Sequence, residues 1–147
     1  MRTNRLALAV YSVMLLSGGF AFGALAGRDT LLHAQTPSRV FEIRTYTAPE
    51  GKLEELHKRF RDHTTRIFQK HGMTNIGYWT PVDEPRSKNT LIYVLAHPSR
   101  EAAKQSWAAF AADPEWKKVS AESQVNGRIV EKVESVFATA TDYSPIK

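Results

Sequence analysis

The chain has 147 residues, 42% of them hydrophobic, and no cysteine. That sets one domain as the natural count and excludes disulfides, thiolate metal sites and cysteine nucleophiles. Its formal charge of +5 is no nucleic-acid signature, because Lys and Arg interleave with Asp and Glu instead of clustering.

Arg2 and Arg5 precede a run from Leu6 to Ala26 that contains no charge, and Ala24-Leu25-Ala26 has the small-x-small form of a cleavage site. The run is 21 residues long, enough to span a bilayer and longer than the roughly 7–15 residues of a signal-peptide core. Gly19, Gly23 and Gly27 add the small-residue stripe of membrane helices. Residues 1–26 are therefore expected to be a signal peptide or a retained transmembrane anchor. Either one delivers the domain to an extracytoplasmic site (periplasmic or secreted) or holds it at a membrane. Without them the chain has 18 Lys and Arg against 15 acids, a net of +3. Residues 27–39 are expected to be a linker and residues 40–147 the folded domain.

Val40 to Thr47 is rich in β-branched and aromatic residues and is predicted to be a strand. Ala48-Pro49-Glu50-Gly51 is a turn. From Lys52 to His71 the period becomes helical, with Leu53, Leu56, Phe60, Thr64, Ile67 and His71 on one face. The opposite face carries Glu54/Lys58, Glu55/Arg59 and Asp62/Arg66, acid-before-base pairs that suit a solvated surface. Gly72 stops the helix, since the left-handed capping position suits glycine best. Asn75 to Thr80 is the second predicted strand and Thr90 to Ala96 the third. Ser99 caps a helix running to Ala112. Asp113-Pro114 restarts it to about Val125, Asn126-Gly127 breaks it, and Ile129 to Thr141 is the last strand. Strand-helix-strand-strand-helix-strand is the ferredoxin-like α+β unit, with a four-stranded antiparallel sheet.

The third strand is apolar on both faces: Leu91, Tyr93 and Leu95 point one way, Ile92, Val94 and Ala96 the other. Helices cover only one face of such a sheet, and a face that met water would alternate apolar with polar. A second copy of the sheet is the simplest cover, so a homodimer is expected.

Phe41-Glu42-Ile43-Arg44-Thr45-Tyr46, Gly51-Lys52, His71-Gly72, Gly77-Tyr78-Trp79, Asp113-Pro114-Glu115-Trp116 and Tyr143-Ser144-Pro145, in this order, resemble the NIPSNAP family from Phe41 to Pro145. The resemblance implies the dimeric α/β-barrel fold. It implies no agreed reaction, metal or cofactor; relatives by fold include small monooxygenases, haem-degrading enzymes and isomerases.

H-E-x-x-H, G-x-S-x-G and G-x-G-x-x-G motifs are absent. His57 and His63 lie on different edges of the apolar stripe and cannot share one metal. His97, beside Pro98, reads as a loop residue, and His71 as a packed helix end or a pocket-facing acid–base group. The candidate pocket is Arg44, Tyr46, His63, His71, Tyr78, Trp79, Tyr93 and Trp107, with no metal and no cofactor. Tyr78 and Trp79 face opposite ways, one toward the helices and one toward the dimer side. Arg44 is its one anion-pairing group, matched by Glu42 or by a ligand carboxylate. Two function classes follow: a module binding a small apolar or acidic ligand or a protein, and a cofactor-independent or haem-using oxygenase or isomerase.

Overall fold

The computed structural model describes residues 39–147. The expected leader and nearly all of the expected linker lie outside the described residues. Among those described, no helix is long and apolar enough to cross a membrane.

Strands β1 (Val40–Thr47), β2 (Thr74–Trp79), β3 (Thr90–His97) and β4 (Lys132–Thr139) form one antiparallel sheet in the order β2-β3-β1-β4. Helices α1 (Leu53–Arg59) and α2 (Thr65–Lys70) are joined by a π-helical turn, Phe60–Thr64, and make one continuous rod. Helices α3 (Arg100–Ala112) and α4 (Pro114–Glu122) follow β3. The predicted order of elements stands, with trimmed ends. The last helix stops at Glu122 rather than near Val125. The last strand starts at Lys132, because Ile129, fully buried, packs against the core ahead of it.

The rod buries Leu56, Phe60, Thr64, Ile67 and Phe68, and each fully buried aliphatic or aromatic side chain contributes about 1.5–3 kcal/mol. Gly72 caps it at φ 76°, a left-handed backbone that disfavours any side chain. Ser99 Oγ accepts from the Ala102 amide at 3.0 Å to start α3. Asp113 accepts from the Glu115 amide at 2.8 Å to start α4, with Pro114 at its first position.

Register sorts the two sheet faces. Glu42, Arg44 and Tyr46 lie opposite Leu95, Tyr93 and Leu91 on the helix-covered face. Ile43, Ile92, Val94 and Val136 lie on the other, where Ile43 is 39% and Val136 62% exposed. Trp79 is also on that outer face. A Cβ at Gly77 would sit 2.5 Å from its ring, so glycine is what lets Trp79 fold back over the sheet. The outer face is largely apolar and open around Ile43, Trp79 and Val136, while Phe41 and Ala96 at one end of it are buried.

Candidate functional site

The helix-facing side of the sheet holds a continuous run of rings. Tyr78 stacks on Tyr93 at 5.5 Å, Phe60 reaches Tyr46, Tyr78 and Tyr93, and Phe68, Trp107 and Phe110 carry the run to Trp116. Edge-to-face and tilted contacts of this kind add about 0.5–1.5 kcal/mol each beyond burial.

Into this layer the sheet inserts a carboxylate. Glu42 is 1% exposed. It accepts from Arg44 Nη1 at 2.6 Å, Ser135 Oγ at 2.7 Å and Trp107 Nε1 at 2.7 Å, and lies 3.1 Å from His97 Nε2. Burial alone would raise its pKa. The hydrogen bonds from His97, Ser135, Trp107 and Arg44 outweigh burial and bring it from 4.5 to about 2. The Arg44 guanidinium lies 4.2 Å over the Trp107 ring and 5.6 Å from that of Tyr46. Burial opposes its charge, but Tyr93, Tyr46 and Glu42 prevail and raise its pKa.

Arg59, at the end of α1, is buried, only 5% exposed, whereas Arg44 is half-buried. Its guanidinium lies 5.2 Å from the Trp116 ring, and Nη1 donates to Ser123 Oγ at 3.4 Å. No carboxylate of the described residues is within ion-pair distance of it, and its Nε–H has no acceptor. Burial therefore lowers its pKa. Arg59 forms the floor of a cleft of about 430 Å³ between α1 and α4, walled by Val119 and Val125 and rimmed by His63. The π-helical turn begins at the next residue, and Thr64 Oγ1 donates to the Arg59 carbonyl at 3.2 Å. Turns of this kind inside a helix are frequent at functional sites.

The candidate pocket divides. Arg44, Tyr46, Tyr78, Tyr93 and Trp107 meet in the ring layer, where the Tyr78 hydroxyl donates to Asn75 Oδ1 at 2.5 Å. Burial raises the pKa of both Tyr78 and Tyr93. The other three members are elsewhere. His63 is exposed on the Arg59 cleft, because it sits at the flank of the apolar stripe. His71 ends α2, and its Nε2 lies 2.6 Å from Asp113 Oδ2. Lys70 and His71 hold the Asp113 carboxyl well below the usual carboxylate range. Trp79, 52% exposed, is on the outer face, as strand alternation requires once Tyr78 faces inward.

Two further readings change, that of His97 and that of the helix charge pairs. His97 is no loop residue: it ends β3, fully buried against Glu42. His57 is half-buried, with Nε2 3.2 Å from Thr80 Oγ1. The three acid-before-base pairs also rearrange, to Lys52–Glu55, Lys58–Asp62, Arg61–Glu54 and Arg66–Glu115. Arg59, assigned to the solvated face, is left without a carboxylate partner among the described residues. On a wheel of about 100° per residue Arg59 lies only about 60° from Leu56, and that offset was the available signal.

Among solved structures, a NIPSNAP family protein of unknown function from Agrobacterium tumefaciens is 22% identical, with TM-score 0.64, covering 76% of this chain and 96% of its own. A second from the same organism is 24% identical, with TM-score 0.65 and coverage of 74% and 99%. SnoaB, a cofactor-independent oxygenase from Streptomyces nogalater, is 14% identical, with TM-score 0.50 and coverage of 74% and 98%. These likenesses show a shared fold. No curated protein is detectably similar in sequence. The NIPSNAP family model matches residues 41–145, and the chain belongs to the NIPSNAP family.

Proposed function

We propose that the protein is a homodimeric, non-catalytic module that binds a small acidic ligand. One observation carries this: among the described residues, the buried groups lacking a protein partner are rich in donors. They are Arg44 Nε, Arg59 Nε, Tyr93 Oη and His97 Nδ1. The two arginine nitrogens can only donate and the Tyr93 hydroxyl can donate or accept, whereas His97 Nδ1 accepts when Nε2–H faces Glu42. A buried polar atom without a partner costs about 1–3 kcal/mol. Oxygen acceptors on a ligand meet that demand.

The dimer is supported by the outer sheet face, where Ile43, Trp79 and Val136 are exposed. Delivery across or onto a membrane is supported by the uncharged run Leu6 to Ala26 behind Arg2 and Arg5. The competing reading, a small oxygenase or isomerase, draws on the His97–Glu42 pair beside Trp107. Yet Glu42 is held ionised by four donors at once, which suits a fixed anion better than a proton carrier.

Native mass spectrometry of the full-length protein tests the proposal. A dimer carrying a small acidic molecule is expected, and a bare monomer contradicts it. Val94→Asp, which buries a carboxylate between the sheets, is expected to weaken dimerisation by roughly a hundredfold or more in sedimentation equilibrium. Titration with haem separates the enzyme reading: no Soret shift is expected.

A further inference from the structure

We infer that the α1–α4 cleft is a carboxylate site, in which Arg59 pairs with the head group of a monoanion bearing a flat apolar body. The inference rests on the binding-module reading and adds to it the place and the ligand class.

Charge matching around the cleft singles out Arg59. The rim carboxylates already have cations of their own: Glu55 with Lys52 at 2.7 Å, Asp62 with Lys58 at 2.5 Å, and Glu122 with Lys118 at 3.9 Å. Arg59 is the more deeply buried charge and has none. Its guanidinium lines the cleft and is a fork of donors geometrically suited to two carboxylate oxygens. Because Trp116 supports the guanidinium from one side, the side chain is held in place before a ligand arrives, which lowers the entropy lost on binding.

The rest of the ligand follows from the walls. Val119 and Val125 line the cleft and favour an apolar body. The volume of about 430 Å³ lies within the range for small-molecule sites. Three carboxylates at the rim disfavour a dense dianion, so a carboxylate is preferred to phosphate.

Isothermal titration of the full-length protein, with benzoate as the probe, tests the site. Benzamide is the neutral isostere and inorganic phosphate the competing anion. Benzoate is expected to bind at least tenfold more tightly than either. Arg59→Gln is expected to weaken benzoate at least tenfold, and Arg59→Lys, which keeps charge but loses the fork, to recover part of the loss. Both variants are read beside their urea unfolding curves, so that loss of folding is visible. Benzoate bound equally by wild type and Arg59→Gln overturns the cleft assignment and leaves the module reading standing. Benzamide binding as tightly as benzoate overturns both. No heat with any probe, from a protein that carries an acidic molecule in native mass spectrometry, overturns the cleft assignment alone.

Discussion

Arg44 and Arg59 place the same group in the same helix–sheet layer, yet their surroundings differ in kind. Arg44 has Glu42 at 2.6 Å, a carboxylate that also ties His97, Trp107 and Ser135 into one network. Arg59 has a ring, a serine hydroxyl at 3.4 Å and an open cleft. A charge that the fold matches with a counter-charge is part of the scaffold, even though the Arg44 Nε–H itself is unbonded. A buried charge that the fold leaves unsatisfied lowers stability, and a ligand that matches it recovers that loss.

The largest effect that could break this contrast is on Glu42. Glu42→Leu strands the Arg44 charge and three further donors, and is expected to cost about 3–5 kcal/mol in urea unfolding. A loss below about 1 kcal/mol would make Arg44 no more matched than Arg59. Next comes acid. The Glu42 pKa falls from 4.5 unfolded to about 2 folded, so its contribution is present in full above about pH 5 and disappears as pH falls toward 2. It is worth roughly 3–4 kcal/mol at neutral pH. Stability curves from pH 7 to pH 2 should show this fall in wild type and a shallower one in Glu42→Gln.

Smaller changes sharpen the contrast from the other side. Arg59→Met removes a buried charge with no counter-charge but also its contact with Trp116, so stability is expected to stay level or rise by up to about 1 kcal/mol while benzoate binding is lost. Destabilisation beyond about 2 kcal/mol would assign Arg59 to the scaffold. Thr64→Val removes the hydroxyl that bonds the Arg59 carbonyl and is expected to cost about 1 kcal/mol, with a weaker effect on benzoate than Arg59→Gln.

Much of this was legible in the sequence. Alternation in β1 and β3 gave the two faces, and period plus capping placed the first helix and the Ser99 and Asp113 starts, because those patterns are local. The Glu42–Arg44 pair was legible for the same reason, two residues apart on one strand. His97 and Arg59 were not. His97 is buried by Glu42 and Phe137 from other strands, which no window around Pro98 contains. Arg59 was assigned to Glu55 by its i,i+4 spacing, but Glu55 pairs with Lys52, and Trp116 from α4 covers the guanidinium. Its burial is tertiary, and only its position beside the apolar stripe hinted at it.

The most direct test follows the arginine side-chain Nε–H resonances by NMR while benzoate is added to the full-length protein. The Arg59 resonance is expected to shift with saturation and the Arg44 resonance to stay in place. A shift of Arg44 with Arg59 unmoved, or no movement of either, would contradict the assignment of Arg59 to ligand and Arg44 to scaffold.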